Sequence, residues 1–238
     1  MISVIIPIYN HAFTLKQSAQ SLIMQTYRPL EVIMVNDGST DGSGFVAEEV
    51  KETLTGNGIR ASVLRQQNKG AAAARNRGFR EAKGDFVIFW DADTIGKPEM
   101  LKKMADILVM HPRASYAYSR FKFGWKTIKS HEFDTDLLKK MNYIDTTSLI
   151  RRTDFSGFDE SLKRFQDWDL WLTMLEQGKT GIFVPEALFK KITEGRKGMS
   201  SWMPSFLYRL PWKTRKVKEY ERARMVVMTK HGWPISPL

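Results

Sequence analysis

Gly84-Asp85-Phe86-Val87-Ile88-Phe89-Trp90-Asp91-Ala92-Asp93-Thr94 is the stretch whose reading decides the fold. Five apolar residues in a row, 86–90, are too few for a buried helix. Entered through Lys83-Gly84 and left through Asp91, they read as a central strand covered on both faces. Such a strand delivers Asp91 and Asp93 at its carboxyl end, where open α/β sheets hold their ligands. Two carboxylates this close repel one another, and a cation is their natural partner. With no Cys or His beside them, oxygen-only ligation suits a hard ion, Mg²⁺ or Mn²⁺, that keeps waters and phosphate oxygens as further ligands. The plainer alternative is a turn capped by Asp91, with Asp93 in solvent.

Upstream, strands and helices alternate. Residues 3–6 are short, β-branched and stopped by Pro7, which makes them a buried first strand, with Tyr9-Asn10-His11 as the turn after it. Leu15, Ala19, Leu22 and Ile23 recur at helical spacing over 11–25, with Asn10 as the N-cap. Residues 31–35 form a second strand running into Asn36-Asp37-Gly38-Ser39-Thr40-Asp41. A polar, glycine-containing loop between that strand and a helix (Phe45, Val46, Glu49, Val50, Leu54) is either a ligand loop of a mononucleotide-binding half or simply a turn with an N-cap. Residues 61–64 supply a third strand, followed by Asn68-Lys69-Gly70-Ala71-Ala72-Ala73-Ala74-Arg75-Asn76-Arg77-Gly78. Four alanines make a thin helix that can lie close to its neighbours. Gly70 lets backbone approach a ligand at the helix N-terminus, where the dipole favours anions, and Lys69 and Arg75 add positive charge. Arg77 and Arg80 read as a solvated helix face. The segment is neither a Gly-Lys-Ser/Thr phosphate loop nor a Gly-x-Gly-x-x-Gly dinucleotide loop.

This alternation up to residue 93 predicts an α/β fold with a mostly parallel central sheet covered by helices on both faces. Beyond it, 98–110 is an amphipathic helix with Leu101, Met104, Ala105 and Leu108 inward, and 114–125 and 144–151 are strand-like. Gly157-Phe158-Asp159-Glu160-Ser161-Leu162 is a turn. It enters a helix with Trp168, Trp171, Leu172 and Leu175 in one stripe and Gly178 as C-cap. Asp167 and Asp169 fall in the first turn of that helix, where the dipole favours negative charge whatever else they do.

The chain of 238 residues, 42% hydrophobic, is long enough to bury a substantial core and too apolar to be disordered. The absence of Cys excludes disulfides and thiolate zinc sites and fits a reducing compartment. The first residues have neither the basic region nor the apolar run of a signal peptide, and no apolar run is long enough to span a membrane. The net charge of +11 is uneven: residues 196–238 carry ten Lys or Arg against Glu219 and Glu221, leaving 1–195 almost neutral.

Six of these pieces, in order, resemble the family-2 glycosyltransferases, inverting enzymes of the GT-A fold that use nucleotide-sugars. They are Ser3-Val4-Ile5-Ile6-Pro7-Ile8-Tyr9-Asn10, Val35 to Asp41, Asn68 to Gly78, Phe89-Trp90-Asp91-Ala92-Asp93, Gly157 to Leu162, and Gln166-Asp167-Trp168-Asp169-Leu170-Trp171. The resemblance spans residues 3 to about 178. It implies a catalytic domain over 1–195, with a nucleotide-binding half (1–95), an acceptor-binding half (96–195) and a basic aromatic extension (196–238). It implies that Pro7, Tyr9 and Asn10 border the nucleotide, that Asp37 contacts base or ribose, and that Lys69, Gly70 and Arg75 lie near the nucleotide. Asp91 and Ala92 would line the ribose or donor sugar, and Asp93 would coordinate a Mn²⁺ or Mg²⁺ ion bridging the diphosphate. Asp167 would be the general base, with Asp169 as the alternative. The family usually has Glu before that base, and here it is Gln166, which removes a neighbouring negative charge. The family's His-containing segment over the diphosphate corresponds to residues 190–201, which lack His; Arg196 or Lys197 would supply the positive charge instead.

The implied reaction moves a sugar from a nucleoside-diphosphate sugar, a uridine diphosphate sugar foremost, to a hydroxyl of a glycan or lipid-linked saccharide during polysaccharide assembly. The rival readings are a nucleotidyltransferase, against which the missing glycine-rich phosphate loop counts, and an inactive nucleotide-sugar or polyanion binding module. The near-neutral first 195 residues and the lack of a motif argue against nucleic acid. In 201–238, Trp202, Phe206, Tyr208 and Trp212 alternate with Arg209, Lys213, Arg215 and Lys216. Such a tail either packs back as an amphipathic helix, meets an anionic membrane or binds a polyanion, and Pro204 and Pro211 interrupt any long helix. The expected location is the cytoplasm, with peripheral attachment at the inner face of the cell membrane as the alternative the tail leaves open.

Overall fold

In the computed structural model, which describes residues 1–128, 130–193 and 214–233, Phe86–Phe89 forms strand β4 at the middle of a nine-stranded sheet. Before it come β1 (Ile2–Ile8), α1 (Ala12–Ile23), β2 (Leu30–Asp37), α2 (Ser43–Gly56), β3 (Arg60–Gln66) and α3 (Ala71–Glu81). After it come β5 (Thr94–Gly96), α4 (Met100–Met110), β6 (Ala114–Phe123), β7 (Lys126–Ile128), α5 (Thr135–Lys140), β8 (Leu149–Arg151), α6 (Gln166–Glu176), β9 (Thr180–Lys191) and α7 (Arg215–Lys230). The strand order is β3-β2-β1-β4-β8-β6-β9-β5, with β7 paired to β6 outside that path. The first four strands are parallel, as the alternation predicts. Beyond β4 the sheet is mixed: β8 is antiparallel to β4 and β6, and β9 is parallel to β6 but antiparallel to β5.

Strand pleating sorts the core into two layers, because successive side chains point to opposite faces. Ile2, Val4, Ile6 and Ile8 of β1, with Phe86, Ile88 and Trp90, meet α1, α2 and α4 on one face. Ile5, Val87 and Phe89 meet α3, α5, α6 and α7 on the other. The alanines of α3 act as read. A Cβ at Gly78 would stand 2.5 Å from Ile5 Cγ2, so the helix lies directly on β1.

Several boundaries differ from the sequence reading. Asn10 is not the N-cap of α1: His11 holds that position without a side-chain cap, and Asn10 sits in the left-handed region at φ 58°. There its Oδ1 accepts the N–H of Thr40. Only Leu149–Arg151 of the strand read over 144–151 is strand, because Asp145 turns the chain by accepting the N–H of Thr147. Arg77 is half-buried and donates to the Arg65 carbonyl, so it is not part of a wholly solvated face. Gly178 follows the α6 C-cap at φ +74°. The boundary drawn after residue 195, the Arg196 and Lys197 lid and the aromatic stretch 201–213 lie outside the described residues. None of the described helices is long and apolar enough to cross a membrane.

Candidate active site

The carboxyl ends of β1 to β4 converge, and the order β2-β1-β4 places the topological switch between β1 and β4. Pro7 lies in the last pleat of β1, and Tyr9, half exposed, directly follows the strand. The following loops are stitched together. Asn10 N–H donates to Ser39 Oγ at 3.1 Å and Asn10 Oδ1 takes Thr40 N–H at 2.8 Å. Asp37, buried at the end of β2, takes Lys69 N–H on Oδ1 at 2.9 Å and Gly70 N–H on Oδ2 at 2.8 Å. Gly70 has φ +90°, a conformation that costs glycine nothing, and it turns those amides toward the carboxylate. Asp37 thus fixes the start of α3, while the Lys69 side chain is exposed.

Asp91, just past β4, lies between two cations. Oδ1 accepts from Arg75 at 2.9 Å and Oδ2 from Lys191 at 2.6 Å. Burial alone would raise the Asp91 pKa, but Lys191 and Arg75 overcome it and hold the carboxyl far below its usual range. Lys191, the last residue of β9, also donates to Thr147 Oγ1 at 3.2 Å and pairs with Asp145 at 3.4 Å. Burial would lower its pKa, yet Asp145, Asp91 and Asp93 together raise it. Asp93 is 2% exposed, and its carbonyl accepts the N–H of Ile192 at 2.8 Å, so the Asp-x-Asp turn and the end of β9 are one unit.

Arg75 reaches further, donating to Gln166 Oε1 at 3.2 Å and lying over the Phe158 ring at 5.3 Å. Asn76 clamps the 157–162 turn beside it: Nδ2 donates to the Phe158 carbonyl and Oδ1 accepts the Phe158 N–H. Two of the sequence motifs are thereby in direct contact. Asp167, at the N-terminal turn of α6, accepts from Trp168 N–H at 2.9 Å and Asn142 Nδ2 at 2.7 Å. Burial, followed by the charge of Asp145, raises its pKa, and these hydrogen bonds and Arg75 only partly offset the rise. Asp169 points elsewhere: it is 2% exposed and bonds Lys230 and His231 at the end of α7.

The structure thus brings Arg75, Asp91, Gln166 and Lys191 into one network, with Asp93, Asp145 and Asp167 inside its electrostatic reach. It keeps Asp169 out of that network. Three carboxylates act on the single Lys191 ammonium, and hard oxygen donors of this kind suit a divalent ion. Among the described residues no group of three or more His, Cys, Asp or Glu side chains is gathered to hold an ion alone. A surface groove of about 430 Å³ lined by Lys16, Ala19, Glu49 and Thr53 lies along the distal halves of α1 and α2, not at the strand ends.

Lys191, Asp145, Asn142 and Thr147 were missed in the sequence. For Lys191 the signal was the apolar run of β9 ending in Lys190-Lys191, but Pro185 interrupts it. Asp145 and Thr147 fall where a continuous strand was read.

The family model described as Glycosyl transferase family 2 matches residues 3–164. A glycosyltransferase, GlyG, of Streptococcus pneumoniae is 40% identical over 105 residues, covering 44% of this chain and 34% of that protein. The chain therefore matches only about a third of that relative's length. The structure of Staphylococcus aureus TarS 1-349 in complex with UDP-GlcNAc superposes with a TM-score of 0.74 at 19% identity, covering 96% of this chain and 66% of that one. A mannosyltransferase of Pyrobaculum calidifontis in complex with GDP-Man and Mn²⁺ gives a TM-score of 0.64 at 17% identity, covering 97% and 62%. The fold is GT-A.

Proposed function

This chain belongs to glycosyl transferase family 2, and we propose that it moves a sugar from a nucleoside-diphosphate sugar to a hydroxyl of a glycan or lipid-linked saccharide by a single inverting displacement. The observation that carries the reading is a half-buried carboxylate of raised pKa, Asp167, together with the cation-flanked Asp91 at the sheet's switch point. The bound UDP-GlcNAc and GDP-Man of the two structural relatives support the donor class.

Asp167 takes the proton of the acceptor hydroxyl. Its raised pKa makes it a better proton acceptor than an ordinary carboxylate. Asn142 and the Trp168 N–H orient it. Asp91 has both oxygens bound by cations, is too weak a base for that task, and holds Arg75 and Lys191 at the donor side instead. These two cations face the negative charge that grows on the departing diphosphate. Asp93 is the residue that would hold Mn²⁺ or Mg²⁺, which when bound supplies Lewis-acid neutralisation of that charge. Tyr9, Asn10, Asp37, Lys69 and Gly70 border the nucleotide, with Asp37 acting chiefly through the loop it fixes.

The test is titration of uridine diphosphate, with guanosine diphosphate in parallel, with and without Mn²⁺, into wild type and Asp93→Ala. Binding that tightens with Mn²⁺ in wild type and loses that gain in the variant supports the donor site. Metal-insensitive binding, or none by either nucleotide, overturns it.

A further inference from the structure

We propose that the end of helix α7 belongs to the catalytic apparatus: Lys230 and His231 clamp Asp169 and Asp159, and so position the α6 turn that carries Gln166 and Asp167. The inference rests on Asp167 being the base, and it deepens that reading.

Lys230, His231, Asp169 and Glu176 lie past residue 164, where the family match ends, and Asp159 lies within it. Lys230 Nζ pairs with Asp169 at 2.7 Å and with Asp159 Oδ2 at 2.6 Å. His231 bridges two turns of α6, with Nε2 to Asp169 Oδ1 at 3.0 Å and Nδ1 to Glu176 Oε1 at 2.7 Å. The side chains of Asp169 and His231 are each 2% exposed, so the pair is screened from water. Trp233 stacks on His231 with ring centroids 5.4 Å apart, and Lys139 Nζ lies over the Trp233 ring at 5.9 Å. Val227 and Met228 seat α7 in the core layer that holds Trp168 and Trp171.

Helix geometry gives this contact a catalytic consequence. Residues two apart project about 200° apart around a helix, so Asp167 and Asp169 point in nearly opposite directions from the same turn. Asp167 faces Asn142 and the charge of Asp145, while Asp169 faces α7. Lys230 also grips Asp159, next to Phe158, whose ring underlies Arg75 and whose backbone is pinned by Asn76. The end of α7 therefore ties together the two elements whose side chains meet at Arg75. Releasing it frees the first turn of α6 to shift, and about an ångström of misplacement is enough to cost two orders of magnitude in rate. A loosened turn also admits water to Asp167, which lowers its raised pKa toward the ordinary carboxylate value.

The experiment compares wild type with Lys230→Met, Lys230→Arg and His231→Gln, with Asp167→Asn as the reference for the base. Asp167 is titrated by carboxyl-carbon NMR, uridine diphosphate affinity is measured with Mn²⁺, and nucleotide release is followed with UDP-GlcNAc and GDP-Man. In Lys230→Met, Asp167 is expected to titrate lower and turnover to fall about tenfold or more, with nucleotide affinity within about twofold of wild type. Lys230→Arg restores the Asp167 titration. If Lys230→Met does not fold, His231→Gln carries the same comparison. Folded variants whose Asp167 titrates as in wild type overturn the proposal. Retention of turnover by Asp167→Asn overturns the base assignment itself, which is a separate outcome.

Discussion

Gln166 does two things that a glutamate in its place could not both do. Its Oε1 accepts from Arg75, and its Nε2 donates to the Leu162 carbonyl at 2.7 Å. Gln166→Glu turns the second contact into a repulsion between two acceptors and sets a new negative charge beside Asp167. The variant is expected to lose about 1–3 kcal/mol of stability in urea unfolding, the cost of a polar group left unpaired in the interior. The acid limb of its pH–rate profile should move to higher pH, because an added carboxylate raises the Asp167 pKa further. An unmoved limb would separate Gln166 from the base. Asp167 itself carries a trade between function and stability. Its folded pKa stands above 3.8 because of burial and Asp145, so ionising it opposes folding. Its contribution is most favourable below the unfolded pKa and is lost as pH rises through the folded value. Asp167→Asn keeps the shape and removes that charge, so near pH 7 its thermal midpoint is expected to rise while turnover falls by about 10²–10⁴. A lowered midpoint would mean that the carboxylate is held for stability and not for chemistry.

At the scale of elements, legibility in the sequence follows burial. β1, β2 and β4 are covered on both faces, so their apolar runs are unbroken and their ends deliver Tyr9, Asp37 and Asp91 where read. α6 was legible because Trp168, Trp171 and Leu172 keep a helical stripe. β9 was not, since Pro185 and register shifts opposite Ser119–Phe121 break its alternation, and Lys191 at its end was lost with it. Asp145 and Asn142 sit on irregular backbone, which has no period to read. α3 shows how a local rule can lose to packing. Replacing Gly78 with Ala favours the helix by about 1 kcal/mol on propensity alone. The new Cβ, however, would stand 2.5 Å from Ile5 Cγ2 and 3.2 Å from Val35 Cγ2, on β1 and β2. Overpacking of that kind costs about 1–3 kcal/mol, so Gly78→Ala is expected to lower the urea midpoint. A gain in stability would show that α3 can lift from the sheet, and Arg75 with it.

Over the whole molecule, the excess of positive charge in residues 196–238 has a structural use that composition alone did not reveal. Where the described part of that stretch meets the rest, Lys230 and His231 face Asp159, Asp169 and Glu176, so basic residues late in the chain are matched to carboxylates at the edge of the candidate active site. This makes the attachment of α7 depend on pH. Burial would lower the His231 pKa, but its hydrogen bonds to Asp169 and Glu176, with the charges of both, raise it above 6.5. In its charged form both ring nitrogens donate, one to each carboxylate; in the neutral form one nitrogen must face a carboxylate as a second acceptor. A folded pKa above the unfolded one stabilises fully below about pH 6.5 and loses that contribution as pH rises through the folded value. Lys230, close by and itself raised in pKa, stays charged across that range and keeps its hold on Asp169. The difference in unfolding free energy between wild type and His231→Gln, from urea titrations at steps between pH 5.5 and pH 9, is therefore expected to be largest at the acid end and to shrink with rising pH. Taking the difference cancels groups that titrate alike in both proteins. A difference that stays constant across the range would mean that His231 holds α7 by shape alone.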